Sequence, residues 1–170
     1  MTNTIIHPTL GTFTLLRAIG HGSFATVFLA KHEESGLFAA LKVFKDLNFD
    51  INQIFDETVP YHSKFQPPLL NPTDEQQEME LIKRELHIMH DVYHPLIVNL
   101  FDCFQYNKQL IFLSEYIDGQ NLLNYVNDRG CLDERTARTM FSQMLLILDF
   151  VHNQKQIVHR DLKCENFMVD

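Results

Sequence analysis

Short stretches of the chain alternate apolar and polar positions, which is typical of β-strands with one face toward a core. In the first part of the chain, residues 13–19, 27–31 and 37–44 carry this pattern. Two further strands are predicted at 97–104 and 110–115, with a polar turn between them. The sequence therefore predicts five strands, three before residue 45 and two after residue 96.

Apolar residues at helical spacing predict three helices, at 74–91, 121–128 and 133–153. Residues 73–76 carry a capping-box signature for the first helix, and Asp133 is the predicted N-cap of the third. In the third helix the apolar residues spread over more than one side. We therefore expect this helix to be covered on more than one side, and an exposed apolar face there would promote partner binding or aggregation.

Residues 45–73 interrupt the pattern, because four of the six prolines lie among scattered apolar residues there. A short helix at 50–57 is predicted, with loop around it. Two interpretations remain open for this insertion. It is either a surface loop of tolerated length, which we favour, or a docking segment whose aromatic side chains contact a partner.

Composition and charge narrow the class of protein. The chain has 170 residues, is 45% hydrophobic and carries a net charge of −8. The acidic balance argues against a nucleic-acid binder or a membrane-surface protein, since both need a basic face. The three cysteines form no metal or disulfide pattern, so we expect reduced thiols and a cytoplasmic or nuclear location. The start of the chain lacks a signal pattern, and the longest apolar run, 144–148, is too short to span a bilayer.

Residues 159–166 combine three groups that suit phosphoryl transfer. Asp161 can accept a proton from an attacking hydroxyl, and Lys163 can neutralise charge on a transferred phosphoryl group. Asn166 offers a neutral oxygen to a metal ion. The alternative for this octapeptide alone is a charged surface turn between two strands.

Two glycines and a lysine in the predicted sheet also suit a nucleotide. Gly20 and Gly22 lie in a turn between the first two strands, where glycine lets the backbone approach phosphates. Lys42 shares a strand face with Ala40. Taken alone, the glycines fit an ordinary hairpin and Lys42 fits a solvent-facing strand lysine, but their spacing by two strands and a turn favours the functional interpretation.

These residues together resemble the protein kinase family. The sequence His-Arg-Asp-Leu-Lys-Cys-Glu-Asn at 159–166 resembles the catalytic loop H-R-D-L-x-x-x-N, and Lys163 looks like the serine/threonine branch. The glycine turn resembles G-x-G-x-x-G-x-V, with Val27 in place and Ala25 replacing the third glycine. Ala40-Leu41-Lys42 resembles the V-A-I-K strand, and residues 114–119 look like the hinge between lobes.

The resemblance implies an α+β, protein kinase-like fold. A five-stranded antiparallel N-lobe with one main helix is expected at 13–116, with the insertion at 45–73. The first helices and the catalytic loop of an incomplete helical C-lobe are expected at 117–170. The sequence reaches Asp170 before any D-F-G motif, so the resemblance implies a partial kinase domain at 1–170 and a shortage of metal ligands.

The resemblance also implies the chemistry, which is transfer of the ATP γ-phosphoryl group to a Ser or Thr hydroxyl with Mg²⁺ as cofactor. Asp161 is the implied base, Lys163 the charge neutraliser and Asn166 the Mg²⁺ ligand. Lys42 is the implied phosphate contact, and Glu85, beside the apolar stripe of the first helix, its implied partner; a solvated helix face is the alternative for Glu85. The other implied nucleotide contacts are Ile19, Gly20, Gly22, Val27, Ala40, Glu115, Ile117 and Met168, with Glu115 and Ile117 acting through their backbone.

Three hypotheses remain open for function. The chain is an active serine/threonine kinase, an ATP-binding module or pseudokinase without turnover, or a fragment of a longer kinase. ATP and a protein substrate are the expected partners, and nucleic acid and membranes are not.

Overall fold

The computed structural model describes residues 3–45 and 74–170, with side chains from residue 77 onward in the second range. The helix predicted at 50–57 and the insertion beyond Lys45 lie outside the described residues, as do residue 73 and the side chains of 74–76 that would form the capping signature. No helix in the described part of the chain is long and apolar enough to cross a membrane.

A six-stranded antiparallel sheet dominates the first part of the structure. Its strand order is β1-β2-β3-β4-β6-β5. The five predicted strands are all present, although their ends shift by a few residues. The strands are β1 Thr4–His7, β2 Gly11–His21, β3 Ala25–His32, β4 Phe38–Phe44, β5 Leu100–Tyr106 and β6 Gln109–Glu115.

The prediction of five strands missed β1. In this strand Ile5 and His7 are buried and Ile6 is exposed, so the alternation of a strand is present. The second buried position holds a histidine, which a hydrophobic pattern counts as polar, and Pro8 follows directly. The signal was therefore too short and too polar to be recognised.

The buried His7 connects the two edges of the sheet. Its Nδ1 accepts hydrogen bonds from the backbone N–H groups of Thr9 (3.2 Å) and Leu10 (3.1 Å), so its proton is on Nε2. Nε2 donates this proton to the carboxylate of Asp102 on β5, at 2.9 Å. The ring of Phe104 lies edge-on, 4.4 Å away. The sheet therefore curls until β1 and β5 touch.

Each face of the sheet carries its own apolar core. Helix α1, Asp74–Asp91, places Ile82 and Leu86 against one face. The residues on the sheet side of this core are Ala25, Phe44, Cys103, Leu110 and Phe112. The core on the opposite face consists of Ile5, Phe13, Ala30, Ala39, Leu41, Phe104, Ile111 and Leu113. Successive residues of β4 therefore point to opposite faces and pack into different cores, as in any β-strand.

The rest of the described chain is mainly helical. Helix α2, Leu122–Arg129, is capped by Asn121, and helix α3, Glu134–Asp149, is capped by the predicted Asp133. A π-helical turn, Phe150–Gln154, continues α3 through the last residues of the predicted helix. The final elements are a 3₁₀ turn at Cys164–Asn166 and the two-stranded pair β7, Gln120–Asn121, and β8, Met168–Val169.

The chain forms two compact units. The first comprises Met1–Asp91 and Leu100–Glu115, and the second comprises Val92–Asn99 and Tyr116–Asp170. The lobes expected at 13–116 and 117–170 differ from these units, because β1 belongs to the first unit and Val92–Asn99 groups with the second. The mixed α+β architecture with an antiparallel sheet agrees with the expectation.

Candidate active site

An ion pair between Lys42 and Glu85 forms the centre of the first unit's polar site. Lys42 Nζ lies 2.5 Å from Glu85 Oε1, and the two side chains are 30% and 38% exposed. The Lys42 ammonium also lies 5.0 Å from the ring centroid of Phe44 and 6.0 Å from that of Phe112. The ammonium is therefore held by a carboxylate and two aromatic rings while it remains open to a ligand.

Strand register aligns this lysine with the glycine turn. Gly20 lies opposite Val27, Val27 lies opposite Lys42, and Lys42 lies opposite Phe112. Residues directly opposite each other share one face of an antiparallel sheet. Gly20, Val27 and Lys42 therefore form a row across three neighbouring strands, on the side of the sheet that α1 covers.

The glycine turn does not itself require glycine at Gly22. The N–H of Gly22 donates to the carbonyl of Ala25 at 2.8 Å. A Cβ added to Gly22 would lie 3.5 Å from that oxygen, which is an ordinary contact. Ala25 is buried in the core under α1, so its methyl group has a packing role where the kinase pattern has a third glycine. The fold thus explains Ala25 but leaves Gly22 unexplained.

The other predicted nucleotide contacts are divided between the units. Ala40 is buried on β4, Ile19 is 38% exposed on β2, and Glu115 ends β6 opposite Ala39. Ile117 and Met168 belong to the second unit. The carbonyl of Ile117 accepts a hydrogen bond from Gly119, and Met168 pairs with Asn121 in the β7–β8 ladder.

The β7–β8 pair anchors the loop that carries the second polar site. Gly119, just before β7, lies so close to β8 that an added Cβ would clash with the carbonyl oxygen of Val169. The N–H of Leu122 donates to the carbonyl of Phe167 at 2.8 Å. The 3₁₀ turn at Cys164–Asn166 precedes this anchor directly, so the position of Asn166 is fixed relative to the helix α2.

Asp161 is held by the two other predicted polar residues of the loop. Lys163 Nζ lies 2.9 Å from Asp161 Oδ2. Asn166 Nδ2 donates to the Asp161 carbonyl at 2.7 Å and to Oδ2 at 3.2 Å. The backbone of Arg160 has a positive φ of 66°, which turns the chain just before Asp161. The loop therefore brings Asp161, Lys163 and Asn166 together.

These neighbours set the electrostatics of the loop. Hydrogen bonds from Lys163 and then from Asn166 lower the pKa of Asp161, and Asp161 raises the pKa of Lys163. Asp161 is therefore an anion at neutral pH. Because Asn166 donates through Nδ2, its Oδ1 lies on the opposite side of the amide group and can serve as a ligand.

The donor set of the loop suits a hard cation. A neutral amide oxygen and a nearby carboxylate are groups that Mg²⁺ accepts in combination with phosphate oxygens. Within residues 3–45 and 74–170, no cluster of three or more His, Cys, Asp or Glu residues could hold a metal by itself. The residues present therefore fit a cation that is bound jointly with a ligand.

Sequence reasoning missed three contributors to these two sites. Phe44 and Phe112 lie beneath the Lys42 ammonium, and the alternation that places Lys42 and Phe44 on one face was the available signal. His159 Nδ1 accepts the N–H of Asp161 at 3.3 Å. The two sites lie in different units.

Comparison with known proteins gives the family. The model of the protein kinase domain matches residues 69–170, more than half of the chain. CBL-interacting serine/threonine-protein kinase 18 of Arabidopsis thaliana is 34% identical over 161 residues, which cover 95% of this chain and 26% of that protein. CBL-interacting protein kinase 12 of Oryza sativa subsp. japonica is also 34% identical over 161 residues, covering 95% of this chain and 25% of that protein. The chain thus spans about a quarter of the length of these relatives. The chain belongs to the protein kinase family and carries part of the kinase domain.

Proposed function

We propose that the chain binds ATP and transfers its γ-phosphoryl group to Ser or Thr hydroxyls of protein substrates. The Lys42–Glu85 ion pair at 2.5 Å carries this proposal. A partly exposed ion pair adds little to stability, typically about 0–1 kcal/mol, so stability does not explain why two strands and a helix converge on it. Orientation of an ammonium toward a polyanionic ligand does explain it.

The site residues of the first unit each have a role in binding ATP. Lys42 contacts the phosphates, Glu85 orients Lys42, and Gly20 and Gly22 allow the backbone to approach the phosphates. Apolar residues of the first unit contact the base. The base contacts in this unit are Ile19, Val27 and Ala40 through side chains, and Glu115 through its backbone.

The catalytic loop acts on the attacking hydroxyl. Asp161 accepts a hydrogen bond from the hydroxyl and then its proton, as the oxygen–phosphorus bond forms and the bond to the ADP oxygen breaks. Because the pKa of Asp161 is lowered, orientation of the hydroxyl is its main contribution. Lys163 neutralises charge on the transferred group, and Asn166 would hold Mg²⁺. Bound Mg²⁺ supplies charge neutralisation at the phosphates.

The test separates binding from transfer. Calorimetry with MgATP on the 170-residue chain should show that Lys42→Met weakens binding by roughly tenfold or more, since a charge-assisted contact is lost. Glu85→Gln should weaken binding less. Lys31→Met, which removes an exposed lysine from the neighbouring strand β3, is the matched control and should bind ATP as the native chain does.

Transfer is measured with γ-labelled ATP and a library of Ser/Thr peptides. Asp161→Asn should keep ATP affinity and lower transfer by about 100-fold or more. Equal ATP affinity in Lys42→Met and Lys31→Met would contradict the proposal.

A second candidate is nucleotide binding without turnover. It is favoured by the bonds that Lys163 and Asn166 make to Asp161, because a carboxylate with a lowered pKa is a weak base. ATP binding that depends on Lys42, combined with no transfer to any peptide, supports this candidate over the first.

A further inference from the structure

A cavity of about 300 Å³ lies in the first unit, on the face of the sheet opposite α1. Thr26, Phe28 and Val43 line it, whereas their strand neighbours Val27 and Lys42 lie on the other face. The cavity is therefore separate from the proposed nucleotide site, although the same two strands build both. Its size is at the lower end for small-molecule sites, about 300–1,000 Å³.

The lining of the cavity combines apolar and polar residues. Leu15, Phe28 and Val43 are partly buried, and Ile5 and Phe44 are buried. The lining residues with hydroxyl or amide groups are Thr4, Thr26, Tyr106, Asn107 and Gln109. Among the described residues that line the cavity, which end at Lys45 on this side, Lys45 is the one charged residue and none carries a carboxylate. In a chain with a net charge of −8, this lining favours an anionic ligand over a cationic one.

Lys45 also connects the cavity to the glycine turn. Its Nζ donates to the carbonyl of Ser23 at 2.6 Å, and its backbone N–H donates to the carbonyl of Phe24 at 3.0 Å. A carboxylate is a stronger acceptor for an ammonium group than a neutral carbonyl is. A carboxylate in the cavity would therefore compete with Ser23 for the Lys45 side chain.

We propose that this cavity binds a small ligand with a flat apolar body and a single carboxylate. The body contacts Leu15, Phe28 and Val43, and the carboxylate pairs with Lys45. Binding releases the Ser23 carbonyl and loosens the glycine turn. The ligand then lowers the affinity for ATP, because ATP binding must order the loosened turn. This effect on ATP binding rests on the proposed function.

The experiment titrates the ¹⁵N-labelled 170-residue chain with 2-naphthoate and, separately, with its neutral analogue 2-naphthamide. For 2-naphthoate we expect amide shift changes at Thr26, Val43 and Tyr106, and at Ser23 and Phe24 in the turn. Lys45→Met should weaken 2-naphthoate binding about tenfold and leave 2-naphthamide binding unchanged. Lys108→Met, in the β5–β6 turn next to Asn107, is the matched control and should bind both probes as the native chain does.

Three results would overturn the proposal: shift changes confined to the second unit, equal affinity for the two probes, or equal 2-naphthoate affinity in Lys45→Met and Lys108→Met. Val43→Phe, which fills the cavity, gives a second check. If its spectrum remains that of a folded chain, 2-naphthoate binding at the cavity should be lost, and retained binding there contradicts the site.

The effect of the cavity ligand on ATP affinity is measured in a separate experiment. Saturating 2-naphthoate should weaken MgATP binding about threefold in the native chain and have no effect in Lys45→Met. Unchanged ATP affinity would remove the link. Because the amide shifts need no nucleotide, failure of the cavity is distinguishable from failure of the proposed kinase function.

Discussion

Asp161 illustrates how neighbouring side chains define the chemistry of one carboxylate. Its side chain is 63% exposed, yet Lys163 and Asn166 both bond to it. The folded state therefore favours the ionised form, and the pKa is lowered. Its contribution to stability is present above the ordinary carboxyl pKa and is lost as pH falls through the lowered one.

Removing these neighbours should raise the pKa of Asp161. We expect a larger rise in Lys163→Met than in Asn166→Ala, because the bond from Lys163 is the largest cause of the lowering. A ¹³C NMR titration of the Asp161 carboxyl carbon measures both changes. Lys155→Met provides the control, since this lysine lies over the ring of Phe150 and not at Asp161. An unchanged Asp161 pKa in Lys163→Met would show that the ion pair does not persist in solution.

Two glycines next to strand ends, Gly22 after β2 and Gly119 before β7, differ in what surrounds them. A methyl group added at Gly22 would make only ordinary contacts within the chain. A methyl group added at Gly119 would clash with the backbone of Val169. A glycine that the fold does not need is explained by an approaching ligand, and one that the fold does need is explained by packing.

Two alanine substitutions test this difference. Gly22→Ala should change the free energy of unfolding by less than about 0.5 kcal/mol but weaken ATP binding. Gly119→Ala should destabilise the chain by about 2 kcal/mol or more, because backbone must move to admit the methyl group. Urea denaturation and calorimetry with MgATP measure the two effects. Equal destabilisation by both substitutions would contradict the distinction.

Most elements followed from side-chain periodicity, and the exceptions have physical causes. The resemblance to kinases implied the Lys42–Glu85 pair, and the helix period singled out Glu85 because it lies beside the apolar stripe of α1. The strand β1 was missed because His7 occupies a buried position. The π-helical turn after α3 was not distinguished from α-helix, since apolar spacing hardly differs between them over five residues. The cavity and the Lys45 bond to Ser23 depend on side-chain directions at a strand end, which no sequence period specifies.

Burial is distributed unevenly over the molecule. Nearly all the buried apolar residues of the described chain belong to the first unit, and Leu41, Leu110 and Ile111 have no exposed surface. In the second unit Val92 and Leu122 are the buried apolar residues among those described. No residue of helix α3 is fully buried. The packing that resists local opening is therefore concentrated in the sheet.

Amide hydrogen exchange should reveal this asymmetry. Amides of β4 and β6 should exchange slowest, and those of α3 at least about 100-fold faster, because α3 gains little from tertiary burial. Exchange read by mass spectrometry on peptides from these elements measures the difference. Similar protection in α3 and β6 would mean that α3 is covered in solution.

The bond between His7 and Asp102 makes residues 3–10 an integral part of the fold. Without them, a shortened protein that begins at Gly11 would leave the Asp102 carboxylate without the Nε2 proton and expose the rings of Phe13 and Phe104 to water. Both edges of the sheet would then stand open, and open edges pair with other chains. Removal of the residues before the glycine-rich hairpin would therefore promote aggregation of this kinase domain.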